Sequence, residues 1–249
     1  MESQNNGKTG INTPTAIIIG AVIIALGLAF GLKGNQNQKA LNMAPDKKTD
    51  QVQDFSNQRE KIINNLSAKA EQITGIPQNE FIACMQNPIH AEKVKNDSRF
   101  VSDEGTPYNI IKSEKYTLNI VGALPYKMIS GIVNDMLNNP DFVVPDDFKN
   151  TLPNEELIIR STDHVRGSLT APITIFEYSD ISCPFCKEFH PTLKKLIEEY
   201  PNDVAWVYRH HPLLDKHPIA DLQAIATECA GALRGSDAFW ELLDDLISG

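Results

Sequence analysis

Residues 172–180 read PITIFEYSD, and two residues later the chain continues as SCPFCKEFHP over 182–191. The first stretch is rich in β-branched and aromatic side chains and reads as a strand. The second opens a helix expected over 183–200, so two cysteines stand at the start of a helix that follows a strand directly. Cys183 falls in the first turn, with Ser182 expected as the N-cap. Backbone N–H groups and the positive helix end stabilise a thiolate there and lower its pKa. Cys186 lies nearly one turn further on, where it can attack a mixed disulfide formed by Cys183. Pro184 suits the first turn because no helical acceptor awaits its missing N–H.

Two other uses of this motif compete with redox chemistry. Half a zinc site needs two more ligands, and the chain has no second CxxC or CxxH; Cys84 and Cys229 would have to converge on the same point. Two unrelated core cysteines would not require the strand–CxxC–helix arrangement. Dithiol redox chemistry fits that arrangement best.

Around the motif, VAWVY (204–208) reads as a second strand. One helical stripe follows at Ile219, Leu222, Ala226, Cys229, Ala230 and Leu233, and another at Phe239, Leu242, Leu243 and Leu246. Upstream, a helix over 56–73 carries Ile62, Leu66, Ala70 and Ile73 on one face and ends at Gly75 and Pro77. Short helices follow around 81–85 and 90–96. Two strands near 108–112 and 116–121 are joined by a turn, and a helix after Pro125 aligns Ile129, Ile132, Val133, Met136 and Leu137. Residues 138–168 contain Pro140, Pro145 and Pro153 without clear periodicity, and read as a linker or wrapping segment.

The 249 residues carry a net charge of −9 and no basic block, which argues against nucleic acid as a partner. AIIIGAVIIALGLAFGL (16–32) is an uncharged run of 17 residues. As a helix it is ~26 Å long, just enough to span a bilayer. A cleaved signal peptide is the rival reading, but no small-x-small site follows closely, which favours an uncleaved anchor. The flanking charges do not set its orientation. The Asn-, Gln- and Lys-rich residues 33–54 read as a flexible stalk.

PITIFEYSDISCPFCKEFHPTLKKL resembles the thioredoxin superfamily, and more closely its DsbA-like branch. Glu177, six residues before Cys183, matches the position of a buried acid beneath the disulfide, and Pro191, eight after, matches a helix kink. VAWVYRHHPL and HPIADLQAIATECAGALRGSDAFWELLDDLI resemble the family's second strand and the start of its helical insert. The family's remaining pieces are found upstream. TGIPQNEFIACM resembles later insert helices, GTPYNII the cis-proline loop and its strand, and YTLNIVGALPYKMISGIVNDML the closing strand and last helix.

The resemblance implies an α/β thioredoxin-like fold with an inserted helical subdomain in permuted chain order, to which the uncharged run at 16–32 adds an N-terminal transmembrane helix. The expected layout is a tail (1–15), an anchor (16–32), a stalk (33–54), a C-terminal-type half (55–137), a linker (138–168) and an N-terminal-type half (169–249). A truncated tandem of two such domains is the alternative history. Thr106–Pro107 is the implied cis peptide, shaping the substrate edge. Cys84 and Cys229 match positions of a second, structural disulfide in some members; the bland alternative is two buried thiols. Glu177, Pro184 and Phe185 are implied supporting residues. His210, His211 and His217 invite a metal reading, but RHHPL resembles a strand end; His190 reads as a surface or packing residue.

The implied activity is thiol–disulfide exchange on exported proteins at Cys183 and Cys186, on the oxidising side of the membrane. No cofactor is required, because the dithiol carries the electrons. A membrane redox partner of DsbB-like or vitamin K epoxide reductase-like type is implied by resemblance alone. A reductase or isomerase on the same scaffold, and an inactive peptide-binding module, remain as alternatives.

Overall fold

The computed structural model describes residues 47–101, 104–149, 152 and 157–249, with side chains from Asp54 onward. The expected anchor at 16–32 lies outside the described residues; among those described, no helix is long and apolar enough to cross a membrane. The elements run α1 (Lys47–Thr74), α2 (Gln78–Met85), α3 (Pro88–Ser98), β1 (Tyr108–Lys112), β2 (Thr117–Val121), α4 (Tyr126–Asn138), a 3₁₀ turn (Asp146–Phe148), β3 (His164–Gly167), β4 (Ile173–Ser179), α5 (Pro184–Glu199), β5 (Val204–His210), α6 (Ala220–Arg234) and α7 (Ser236–Ser248).

The five strands form one mixed sheet in the order β2-β1-β4-β5-β3. β4 and β5 pair in parallel, with Glu177 opposite Tyr208, and α5 makes the crossover between them. β1 pairs antiparallel with the other edge of β4, placing Asn109 opposite Glu177. The two halves of the chain thus meet in the middle of a single sheet.

Alternation along the strands explains why both faces of the sheet are dry. Successive strand side chains point to opposite faces. Ile111, Ile173, Ile175, Trp206 and Tyr208 join the large core with Phe189, Leu193, Phe239 and Leu243 from α5 and α7. Tyr108, Ile110, Phe176, Tyr178 and Val207 join a smaller core with Leu157. Leu152, Leu157 and Ile159 pack on that second face, so this part of 138–168 wraps the sheet rather than merely linking elements. Arg209 fastens the wrap from beneath. Its guanidinium donates to Asp163 Oδ2 (2.8 Å), to the Ile158 carbonyl (2.7 Å) and to Tyr178 Oη (3.0 Å), and the Arg209–Asp163 side chains are both fully buried.

Three sequence expectations need correction. The stalk does not extend to residue 54, because α1 already begins at Lys47. Its first turns carry no apolar stripe, so periodicity could not find them. Within the expected linker, His164–Gly167 forms edge strand β3, antiparallel to β5. Its side chains are half-buried or exposed, so it shows no apolar alternation. Ser182 is not the N-cap of α5. Cys183 holds that position with extended backbone (φ −72°, ψ 126°) and no side-chain cap bond, and Pro184 is the first helical residue. The Ser182 hydroxyl instead donates to Gln223 Oε1 on α6 (2.5 Å).

Local signals account for the other boundaries. α1 stops at Gly75, whose N–H still bonds the Glu71 carbonyl and whose φ of 70° then turns the chain out of the helix. α3 starts where Asn87 Oδ1 accepts the N–H of Ile89 and Pro88 fills the first position.

Candidate active site

β4 delivers the chain to the sheet's end, and Asp180 shapes the turn into α5. One carboxylate oxygen of Asp180 accepts the N–H of Ser182 (2.7 Å). The other accepts the N–H of Leu213 and Nδ1 of His217, both at 2.8 Å. Its backbone carbonyl accepts the N–H of Cys183 (3.0 Å). Asp180 therefore ties the CPFC turn to the loop after β5. Sequence reading missed this residue, although an aspartate two positions before the bonded N–H is the signature of an Asx-turn.

Cys183 and Cys186 are free thiols, 4% and 0% exposed. Cys183 Sγ lies 3.6 Å from the carbonyl oxygen of Thr106, next to Pro107, and the Thr106–Pro107 bond is cis. The two residues belong to the loop before β1, so residues more than seventy positions apart in sequence converge here. Phe185, between the cysteines, is 62% exposed.

The two thiols are electrostatically unequal. The Cys186 thiol beside Cys183, then the Thr106 contact and the N–H groups of Cys186 and Phe185, draw the Cys183 pKa down to about 5 against the cost of burial. Burial first, then Cys183 and the nearby Glu177 carboxyl, push Cys186 well above the ordinary thiol range. A group of the first kind attacks and leaves as thiolate at neutral pH; one of the second kind keeps its proton until something accepts it.

Glu177 is fully buried on β4 and accepts a hydrogen bond from Trp206 Nε1 (2.8 Å). Burial raises its pKa to about 7, while Ser179 and Trp206 oppose the rise. A carboxyl with such a pKa exchanges protons at neutral pH.

The histidines divide among separate tasks. His210 pairs with Glu228 (3.1 Å), His211 Nε2 meets the Glu104 carbonyl (3.0 Å), and His217 holds Asp180. His190 is buried, stands edge-on to Trp206 and bonds Asp244 at 2.8 Å. It packs against Trp206 and holds Asp244. Away from the site, Cys84 on α2 and Cys229 on α6 are joined by a disulfide, with Cα atoms 5.8 Å apart and a sequence separation of 145.

A strand-to-helix CxxC thus stands beside a cis-proline at the end of a mixed sheet, the geometry of a dithiol exchange site. Residues 160–248 match the family described as Thioredoxin, a span holding β3 through α7 but not Thr106 or Pro107. Part of the chain is 43% identical over 86 residues to Na(+)/H(+) antiporter NhaA 1 of Salinispora arenicola, covering 34% of this chain and 13% of that protein. It is similarly 43% identical over 86 residues to Na(+)/H(+) antiporter NhaA 3 of Salinispora tropica, again 13% of the relative. The chain thus spans a small part of the curated relatives it matches, and transport does not carry over to it. The crystal structure of Pseudomonas aeruginosa DsbA2 aligns with 33% of this chain and 45% of its own, at 42% identity and a TM-score of 0.31. The family match therefore covers the part of the chain that holds both CPFC cysteines.

Proposed function

We propose that the chain is a membrane-anchored, extracytoplasmic thiol:disulfide oxidoreductase that introduces disulfides into exported proteins. The observation that carries this reading is the placement of Cys183 Sγ 3.6 Å from the Thr106 carbonyl, at the start of α5. An incoming peptide backbone would lie along the Thr106–Pro107 edge with its thiol against Cys183.

In the oxidising direction a substrate thiolate attacks Sγ of Cys183 in the oxidised pair. The Cys183–Cys186 bond breaks, and Cys186 leaves and takes a proton. Glu177, half-protonated near pH 7, is the nearby donor. The substrate's second thiolate then attacks its own sulfur in the mixed disulfide and expels Cys183 as thiolate, which its low pKa favours. Two electrons have moved from the substrate dithiol to the Cys183–Cys186 pair. A quinone-linked membrane partner of DsbB-like or vitamin K epoxide reductase-like type would remove them, a role suggested by family resemblance. The uncharged run at 16–32 supports the anchor, and the Cys84–Cys229 bond supports an oxidising compartment. Permutation of a single DsbA-like domain accounts for the chain order, with β1 from the first half seated against β4 from the second.

Equilibration of the full chain with glutathione buffers tests the direction. A Cys183–Cys186 potential near −120 mV supports donation of disulfides. A potential near −270 mV overturns the oxidase reading in favour of a reductase or isomerase. Peptide binding without any exchange at Cys183 would reduce the domain to a binding module.

A further inference from the structure

A second constellation lies where α2, α3 and α6 pack together. His90, near the start of α3, places Nε2 3.2 Å from Sγ of Cys84. One ligand atom from each of Cys84, His90 and Cys229 lies within 4.8 Å of the other two. Cys229 is buried, whereas Cys84 and His90 are half-buried. His90 also lines a cavity of about 410 Å³ whose wall includes Lys93, His164 and Glu228 and whose rim carries exposed Ser161 and Thr162.

The spacing suits a tetrahedral metal. Zinc binds thiolate at ~2.3 Å and imidazole at ~2.0–2.1 Å, which sets neighbouring ligand atoms roughly 3.5–3.8 Å apart. His90 already stands close to that distance from Cys84. Two sulfurs carried on Cα atoms 5.8 Å apart reach it by a change of side-chain rotamer once the bond between them opens. Glu228 is committed elsewhere, to Lys93 (2.9 Å), His210 (3.1 Å) and His164 (3.4 Å). The cavity lined by His90 gives an entering ion a route to its ring, and water would complete the fourth position.

We propose that Cys84, His90 and Cys229 form a redox-gated site for a divalent cation of the zinc class. With the disulfide present the sulfurs are bonded to each other and the site is closed. A thiol or phosphine reductant opens it: two electrons and two protons convert the disulfide to two thiols, and the reductant departs as its own disulfide or, with water supplying the oxygen and the protons, as phosphine oxide. The cation then displaces the two thiol protons and binds both thiolates and Nε2 of His90. Thiolate and imidazole donors select zinc over magnesium or calcium, which take oxygen ligands. Metal binding and disulfide formation compete for the same two sulfurs, so bound metal protects them from oxidation.

The test uses the full chain carrying Cys183→Ser and Cys186→Ser, so that only the second pair can respond. The protein is reduced with a phosphine, titrated with Zn²⁺ against a chromophoric chelator, and melted with and without the metal. The expected result is uptake of a single Zn²⁺ per chain after reduction and none before it. Zn²⁺ should also raise the melting temperature of the reduced protein. Adding His90→Ala should weaken binding at least about 100-fold, because loss of even an outer partner of a metal ligand costs about 10–100-fold. It should also abolish the thermal shift. No uptake on reduction, or equal affinity with and without His90, would overturn the site. Equal affinity would include the case in which reduced, unfolded chains bind through their thiols alone.

Discussion

The two cysteine pairs of this molecule differ in sequence separation, in bonding and in their surroundings. Cys183 and Cys186 are three residues apart in sequence, free, and set at the N-terminal end of a helix facing another part of the chain. Cys84 and Cys229 are 145 residues apart, bonded, and wedged between helices. The first pair has unequal thiols, one drawn toward thiolate and the other held protonated. The second closes a long loop and joins the two halves of the chain. The difference teaches that a neighbouring thiol, with local backbone donors, makes a pair reactive, whereas long sequence separation makes a pair stabilising.

The largest expected effect would come from Cys183→Ser. Exchange with a dithiol peptide should fall by three orders of magnitude or more, about the scale lost when a catalytic nucleophile is removed. In the wild-type dithiol protein, the rate of Cys183 alkylation should rise through a midpoint near pH 5. A midpoint near the ordinary thiol value would erase the contrast between the pairs.

Removing the other pair should act on stability and not on exchange. Replacing Cys84 and Cys229 together with alanine should cost about 2–5 kcal/mol in denaturant unfolding while peptide exchange at CPFC persists. Loss of exchange in a folded double variant would break the division of labour.

Glu177 sharpens the comparison through pH. Its folded pKa of about 7 lies above the ordinary 4.5, so between those values the folded state holds more protons than the unfolded state. Stability should therefore fall as pH rises from about 4.5 to about 7 and then level off, by on the order of 3 kcal/mol. Unfolding measured with both pairs oxidised, so that no thiol titrates, should show this slope in the wild type and a flatter one in Glu177→Gln. The smallest expected effect is that of Ser182→Ala, which removes the bond to Gln223 and should cost about 0.5–1.5 kcal/mol without changing the Cys183 alkylation midpoint.

Much of this site was legible in the sequence because its signals are local. The run ITIFEYS and the CPFC turn lie within a few residues of each other, and strand propensity and helix-start chemistry read them directly. Pairing of β1 with β4 was not readable from any window, since it joins distant segments; family resemblance alone suggested that Thr106 and Pro107 would approach Cys183. β3 escaped because an edge strand of four half-exposed residues has no apolar alternation to show. The buried Arg209–Asp163 pair escaped for another reason: a charged pair becomes buried only after the wrapping segment has closed over the sheet. Asp180 acts on backbone N–H groups, whose positions exist only in the folded turn.

Graded reduction tests the central distinction most directly. Fully oxidised protein is treated with one equivalent of a dithiol reductant, the thiols are alkylated, and the labelled cysteines are mapped by mass. Label on Cys183 and Cys186, with Cys84 and Cys229 still bonded, is the expected result. Opening of Cys84–Cys229 first, or of both pairs together, would contradict the assignment of exchange to one pair and stapling to the other.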